Sequence, residues 1–72
     1  MELKPITGSS SVREIGYDPD KREMEVMFAP RGNYLYKDIS KEEYETIVNA
    51  GSVGNQLRIT VKGKECINLR LI

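Results

Sequence analysis

Two tyrosines one residue apart, Tyr34 and Tyr36, have the side-chain type and the spacing to recognise flat rings. On a strand, residues two apart share a face and lie about 6.6–6.8 Å apart, roughly twice the rise of about 3.4 Å between stacked nucleotides. Each ring could therefore accept one base, at about 1–3 kcal/mol per base. Both rings could instead pack beneath a helix as part of the core. The sequence leaves the two alternatives open.

Polar side chains in two segments rich in glycine and serine are the candidate contacts for an anionic group. Ser10 lies in the first segment, and Ser52 and Asn55 lie in the second, where amides and hydroxyls can be presented to an anion. Arg13, Arg31 and Arg58 are the candidate charge partners, and of these Arg31 and Arg58 are placed in the predicted site. The alternatives are flexible connections for the segments and ordinary surface roles for the arginines. With the two tyrosines, these residues form the predicted ligand-binding set.

The residue inventory argues against catalysis and against a metal site. The chain has no histidine and one cysteine, Cys66, so it lacks the commonest general base and a partnered nucleophile. Glu42, Glu43 and Glu45 fit the solvated face of a short helix better than acid–base chemistry. The segment Asp18-Pro19-Asp20 is typical of a turn and lacks the further positions of a calcium loop. We predict a protein that is not an enzyme and uses no cofactor.

Length and charge limit the classes of protein that the chain can form. With 72 residues it can bury one small core, so we expect a single domain over residues 1–72. Eleven Lys and Arg balance eleven Asp and Glu, unlike a dedicated duplex-DNA or RNA binder. One cysteine favours a reducing compartment, and no apolar run resembles a signal peptide or a membrane span. We predict a cytoplasmic protein with no membrane partner.

Alternating apolar and polar residues predict three strands in the first half of the chain. The segment Val12–Tyr17 is the first, and Glu23–Phe28, with Met24, Val26 and Phe28 on one side, is the clearest. The turn residues Asp18-Pro19-Asp20-Lys21 connect these two as a hairpin. Tyr34-Leu35-Tyr36 begins the third strand, which completes a meander.

A helix of about ten residues follows the third strand. Ser40 and Glu43 fit a capping box, in which each side chain accepts a hydrogen bond from the other residue's amide. The residues Tyr44, Ile47 and Val48 form an apolar stripe at helical spacing. Gly51 suits a left-handed C-terminal cap.

The last part of the chain alternates again and predicts a terminal hairpin that turns at Gly63-Lys64. Its apolar residues are Leu57, Ile59 and Val61 in one strand and Ile67, Leu69 and Leu71 in the other. The resulting order is βββαββ, an α+β fold with an antiparallel meander. A terminal strand leaves an open edge or an apolar face that a second copy can cover, so we predict a homo-oligomer.

Five segments in order resemble the KTSC domain, a family named for the C-terminus of some lysyl-tRNA synthetases and also found as small bacterial and phage proteins. The resemblance covers about residues 9–55, includes the family's Tyr-x-Tyr motif, and leaves residues 56–72 as a divergent hairpin. The segments are Ser9–Val12, Ile15–Asp18, Met24–Phe28, Tyr34–Tyr36 and Tyr44–Gly54.

The resemblance implies a binding module more than an activity, with RNA binding suggested by the family's domain company. We therefore expect a nucleotide-containing ligand, either single-stranded RNA or a small cyclic or phosphorylated nucleotide that a phage protein could sequester. The neutral charge favours the small ligand. The alternative is a protein-interaction or self-assembly module that uses the edge of the C-terminal strand.

Overall fold

The computed structural model of the chain describes residues 3–7, 11–29 and 32–69. Within these residues the fold is α+β, with five antiparallel strands in sequence order and two helices between the fourth and fifth strands. The elements are β1 (Lys4–Pro5), β2 (Val12–Asp18), β3 (Glu23–Phe28), β4 (Gly32–Tyr36), α1 (Lys41–Val48), α2 (Val53–Val61) and β5 (Cys66–Asn68).

The strand register divides the sheet into two sides, because residues directly opposite one another share a face. One side contains the buried residues of β2 and β3 and is packed against the helices; we call it the helix side. The other side carries no helix from the described part of the chain, and we call it the open face. The open face consists of Pro5, Glu14, Gly16, Asp18, Glu23, Glu25, Met27, Asn33, Leu35 and Ile67.

The strands β2 and β3 confirm the predicted hairpin. Asp18 forms the turn with its side chain, whose Oδ1 accepts the amides of Asp20 at 3.0 Å and of Lys21 at 3.4 Å. A strand bulge between Val12 and Glu14 shifts the register at the start of β2. The strand β1 was not predicted, because its two residues are too few to show a hydrophobic period.

The core lies between the helix side of the sheet and the two helices. Apolar burial of this kind is the main favourable term in folding. From β4 only the half-buried Tyr36 packs against this core. The fully buried members are Val12, Ile15, Met24 and Val26 from the sheet, Ile39 before α1, Ile47 in α1 and Leu57 in α2.

The predicted capping box at the start of α1 is confirmed. The amide of Glu43 donates to Ser40 Oγ at 3.0 Å, and the amide of Ser40 donates to Glu43 Oε1 at 2.9 Å. The predicted left-handed cap at Gly51 is wrong, because Gly51 is not among the positive-φ residues and Asn49 is the C-terminal cap. A short turn connects the end of α1 to the start of α2.

The capping box gives the protein a pH-dependent contribution to stability. The hydrogen bond from Ser40, followed by the charge of Lys64 at 3.5 Å, lowers the pKa of Glu43. A lowered folded-state pKa adds stability that is present above the unfolded pKa of about 4.3 and is lost as the pH falls through the folded value. We expect Glu43→Gln to reduce the free energy of unfolding by about 0.5–1 kcal/mol at pH 7.

Urea unfolding at pH 7 and at pH 2.5 measures this difference. The difference should be smaller at the lower pH, because protonation of the wild-type carboxyl removes its charge. Glu42→Gln is the matched control, since Glu42 lies in the same helical turn and is exposed. An equal effect of Glu43→Gln at both pH values would contradict the assignment.

The predicted terminal hairpin is wrong, because residues 53–61 form α2 and not a strand. Leu57 is buried at 2% exposure whereas Ile59 is 68% exposed, so the two do not share a face as they would on a strand. The helix buries Leu57 and half-buries Val53 and Val61, a spacing of four residues. The strand β5 instead pairs antiparallel with β4. The order is therefore four strands, two helices and one strand.

No helix in the described residues combines the length and the apolar composition needed to cross a membrane.

Candidate ligand-binding site

The register of β3 and β4 places both predicted tyrosines on the helix side of the sheet. Tyr34 lies opposite Val26, and Tyr36 lies opposite Met24. Val26 and Met24 are fully buried in the core. The rings therefore project from the covered side of the sheet, and neither contributes to the open face.

The two tyrosines differ in what they contact. Tyr36 is half-buried and packs against the core cluster. Tyr34 is also half-buried but is not part of that packing, and its ring meets Phe28 edge to face at 5.6 Å between centroids. Edge-to-face contact is one of the preferred geometries of an aromatic pair. Tyr34 is thus the better candidate for stacking.

Two further aromatic rings join the sheet to α1. Tyr17 stacks on Tyr44 with 4.9 Å between centroids and 11° between planes. The Tyr17 hydroxyl donates a hydrogen bond of 2.6 Å to the carbonyl of Ile39, and burial raises the pKa of Tyr17. These contacts fix the start of the helix, so we assign this pair to the fold and not to ligand binding.

The predicted polar contacts Ser52, Asn55 and Arg58 all belong to α2 or to its N-terminal cap, and α2 brings Asn55 and Arg58 into contact. They were expected in or beside a loop, but Ser52 is the N-terminal cap residue and Asn55 is in the first helical turn. Arg58 Nη2 donates to Asn55 Oδ1 at 2.6 Å, and both side chains are exposed. The Ser52 side chain makes no capping hydrogen bond, and the first turn contains no acidic residue. Such a helix start is electrostatically suited to an anion.

The other two predicted ligand contacts, Ser10 and Arg31, lie outside the described residues. Cys66 is exposed on β5. The described part of the chain holds no group of three or more Cys, Asp or Glu side chains placed to bind a metal ion.

The charge of the open face was not used when the ligand-binding residues were predicted. The residues of that face that pair between strands include the acids Glu14, Asp18, Glu23 and Glu25, and none of these paired residues is basic. The signal was present in the sequence, because Glu23 and Glu25 alternate with Met24 and must point away from it. The acidic side chains make this face unfavourable for a phosphate backbone.

All five aromatic side chains of the chain lie away from the open face. Four belong to the helix side of the sheet and the fifth belongs to α1. Proteins that bind single-stranded nucleic acid on a sheet place aromatic rings and positive charge on the exposed strand surface. This sheet has the opposite arrangement. The aromatic residues are Tyr17, Phe28, Tyr34, Tyr36 and Tyr44.

Comparison with known proteins gives one family and close structural similarity. The model of the KTSC domain family matches residues 8–64. An uncharacterized protein from Stutzerimonas stutzeri (strain A1501) is 33% identical over 54 residues, which cover 75% of this chain and 76% of that protein. The crystal structure of a KTSC domain protein from Yersinia pestis matches with a TM-score of 0.90 at 30% identity, covering 96% of this chain and 97% of that one.

Proposed function

The chain belongs to the KTSC domain family, and on this basis we propose that it is a non-enzymatic, cytoplasmic binding module for a small cyclic or phosphorylated nucleotide. The observation that carries the proposal is Tyr34. Its half-buried ring meets Phe28 edge to face and stands outside the core packing that includes Tyr36. A module of this kind sequesters its ligand and does not convert it.

The small nucleotide is favoured over single-stranded RNA. The acids of the open face repel a phosphate chain, and the rings that could stack on bases lie on the other side of the sheet. A compact ligand needs only one ring and one anion contact. We therefore propose a mononucleotide or a cyclic nucleotide as the ligand class.

Affinity requires phosphate contacts in addition to the ring. Stacking on one tyrosine supplies about 1–3 kcal/mol, whereas micromolar binding needs about 8 kcal/mol. We assign the phosphate contacts to Ser52 and Asn55 at the start of α2 and to Arg58, which contacts Asn55 from the last turn; an arginine fork suits phosphate oxygens. Ser10 and Arg31 remain in the proposed set from the sequence.

Calorimetric titration with cyclic mononucleotides, cyclic dinucleotides, nucleoside mono- and triphosphates and mixed-sequence RNA oligonucleotides tests the proposal. We expect heat with at least one small nucleotide and weaker binding to RNA. Tyr34→Leu should weaken the binding about tenfold or more, because it removes the stacking surface and keeps apolar bulk; Tyr34→Phe should not. Arg58→Gln should also weaken it, while Arg13→Gln, another exposed arginine, is the matched control.

Two outcomes would contradict the proposal. The first is an absence of heat with every ligand together with unchanged melting temperatures. The second is binding to which Tyr34→Leu makes no difference. Tight RNA binding that weakens steeply between 50 and 200 mM salt would replace the small nucleotide with RNA.

Self-assembly through β5 is the second candidate function, favoured by its position at the edge of the sheet. The amide of Lys37 donates to the carbonyl of Glu65, and the amide of Leu69 donates to the carbonyl of Asn33. Backbone hydrogen-bonding groups alternate in direction along a strand, so the amide and carbonyl of Cys66 point away from β4 toward the outer edge of the sheet. Strand addition by a second copy would use this edge. Light scattering should then show a homo-oligomer that Cys66→Pro disrupts and Cys66→Ser preserves; a monomer at all concentrations would contradict it.

A further inference from the structure

We propose that the open face of the sheet is a docking surface for a cationic amphipathic segment of a partner protein. This surface is distinct from the proposed nucleotide site, because it is formed by the opposite side of the sheet. Its apolar centre and its acidic charge together define the chemistry of the partner.

The apolar centre is formed by neighbouring residues of the last three strands. Leu35 lies opposite Ile67 across β4 and β5, and Met27 lies one row away on β3. Ile67 is 37% exposed, and only Ile59 is a more exposed large apolar side chain in the described residues. Gly16 lies in the same row as Leu35 and leaves that row without a side chain on β2.

Charge is segregated onto this face although the chain as a whole is neutral. The residues of the face that pair between strands carry four acidic side chains and no basic one, and the exposed Arg13 lies in the bulge beside Glu14. The other residues of the chain together hold eleven basic and seven acidic side chains, a net charge of +4. A potential of one sign on a defined surface selects a partner of the opposite sign.

Charge also excludes the other classes of occupant. A nucleic acid or an anionic membrane surface carries the same sign as the face. A second copy that docks through its own open face would place acid against acid, which is unfavourable. A cationic segment with an apolar side can contact the apolar centre and neutralise the acidic charge.

Glu25 is the expected anchor for the partner's cation. It lies in the row of Gly16 and Leu35, is half-buried, and accepts a hydrogen bond of 2.7 Å from Asn33 Nδ2 at Oε2. The hydrogen bond from Asn33 holds the Glu25 carboxylate in place on the face and occupies one of the positions at which this carboxylate accepts hydrogen bonds. Covering this carboxylate without a counter-charge would be costly, so a docked segment must present a cation here, and arginine can do so through two hydrogen bonds.

The test uses synthetic helical peptides as probes. The first has a leucine side and an arginine side; the second replaces arginine by glutamate, and the third replaces leucine by serine. Fluorescence anisotropy measures affinity, and an NMR titration of the labelled protein locates the contact. We expect only the leucine–arginine peptide to bind, with shifts at Met27, Leu35 and Ile67.

Matched variants distinguish binding at the open face from nonspecific binding elsewhere on the protein. Glu25→Gln keeps the oxygen that Asn33 contacts and should weaken binding about tenfold, whereas Glu45→Gln, in the exposed part of α1, should not. Ile67→Ser should weaken binding severalfold, and Ile59→Ser, the other exposed isoleucine, is its control.

Three results of the peptide experiments would overturn the proposal. They are equal binding of the leucine–arginine and serine–arginine peptides, shifts confined to the helices, and a loss of affinity with Ile59→Ser but not with Ile67→Ser. A dimer of the protein that Ile67→Ser breaks and Ile59→Ser preserves would make a second copy the occupant, and would also overturn it.

Discussion

Leu57→Ala is expected to destabilise the protein by about 2–5 kcal/mol, the range for removing a large aliphatic side chain from a packed core. Leu57 is 2% exposed and belongs to the buried cluster. Ile59→Ala is expected to change stability by less than about 0.5 kcal/mol, because Ile59 is 68% exposed. Alanine is also a better helix former than isoleucine. Thermal and urea unfolding of both variants measure the contrast.

This pair of variants separates the helix from the strand that the alternation predicted. On a strand, residues two apart face the same way, so truncation of Leu57 and of Ile59 would have similar effects. On a helix they lie about 200° apart, and only one can face the core. If Leu57→Ala does not fold, Leu57→Val gives a smaller loss that can still be measured. Equal losses for Leu57 and Ile59 would contradict α2.

The misreading of α2 has a specific physical cause. The strand pattern uses Leu57, Ile59 and Val61, and the helical pattern uses Val53, Leu57 and Val61. The patterns share two residues, so only the burial of Ile59 distinguishes them. β-Branched residues also favour strands, and here packing against the core outweighs that preference. The sequence alone contains no observation that decides between the patterns.

The elements predicted correctly were those with local and redundant signals. The strand β3 alternates through its whole length, and Ser40 with Glu43 specifies the start of α1 by hydrogen bonds between near neighbours. The KTSC resemblance was also confirmed, and the matched residues extend past residue 55 to residue 64, beyond the end of α2. The pairing of β5 with β4 joins distant parts of the chain. No local pattern reports such a pairing.

The candidate site was predictable in residue type and not in arrangement. Which side of the sheet the tyrosines occupy depends on the pairing of Tyr34 with Val26, and the residues between these strands do not specify that register. The clustering of Asn55 with Arg58 required α2. The acidic open face, in contrast, could have been inferred from the alternation of Glu23 and Glu25 with buried residues.

The tyrosines of the motif are expected to respond very differently to truncation. Tyr36→Ala should cost about 3–5 kcal/mol, in the range of emptied aromatic core positions, because Tyr36 packs against the core beside Met24. Tyr34→Ala should cost less than about 2 kcal/mol, because its ring lies outside that packing and contacts Phe28 at the edge. Urea unfolding of the two variants, with Tyr34→Phe and Tyr36→Phe as controls, measures both values.

The outcome decides whether the motif has one role or two. A large loss at Tyr36 and a small one at Tyr34 would separate a packing tyrosine from a tyrosine whose ring is available for a ligand. The nucleotide titration on Tyr34→Leu then tests that ring in a protein that is still folded. Equal large losses would place both rings in the core and remove the observation on which the nucleotide proposal depends. Equal small losses would contradict the packing of Tyr36 against the core and would leave both rings as candidates for stacking on a ligand.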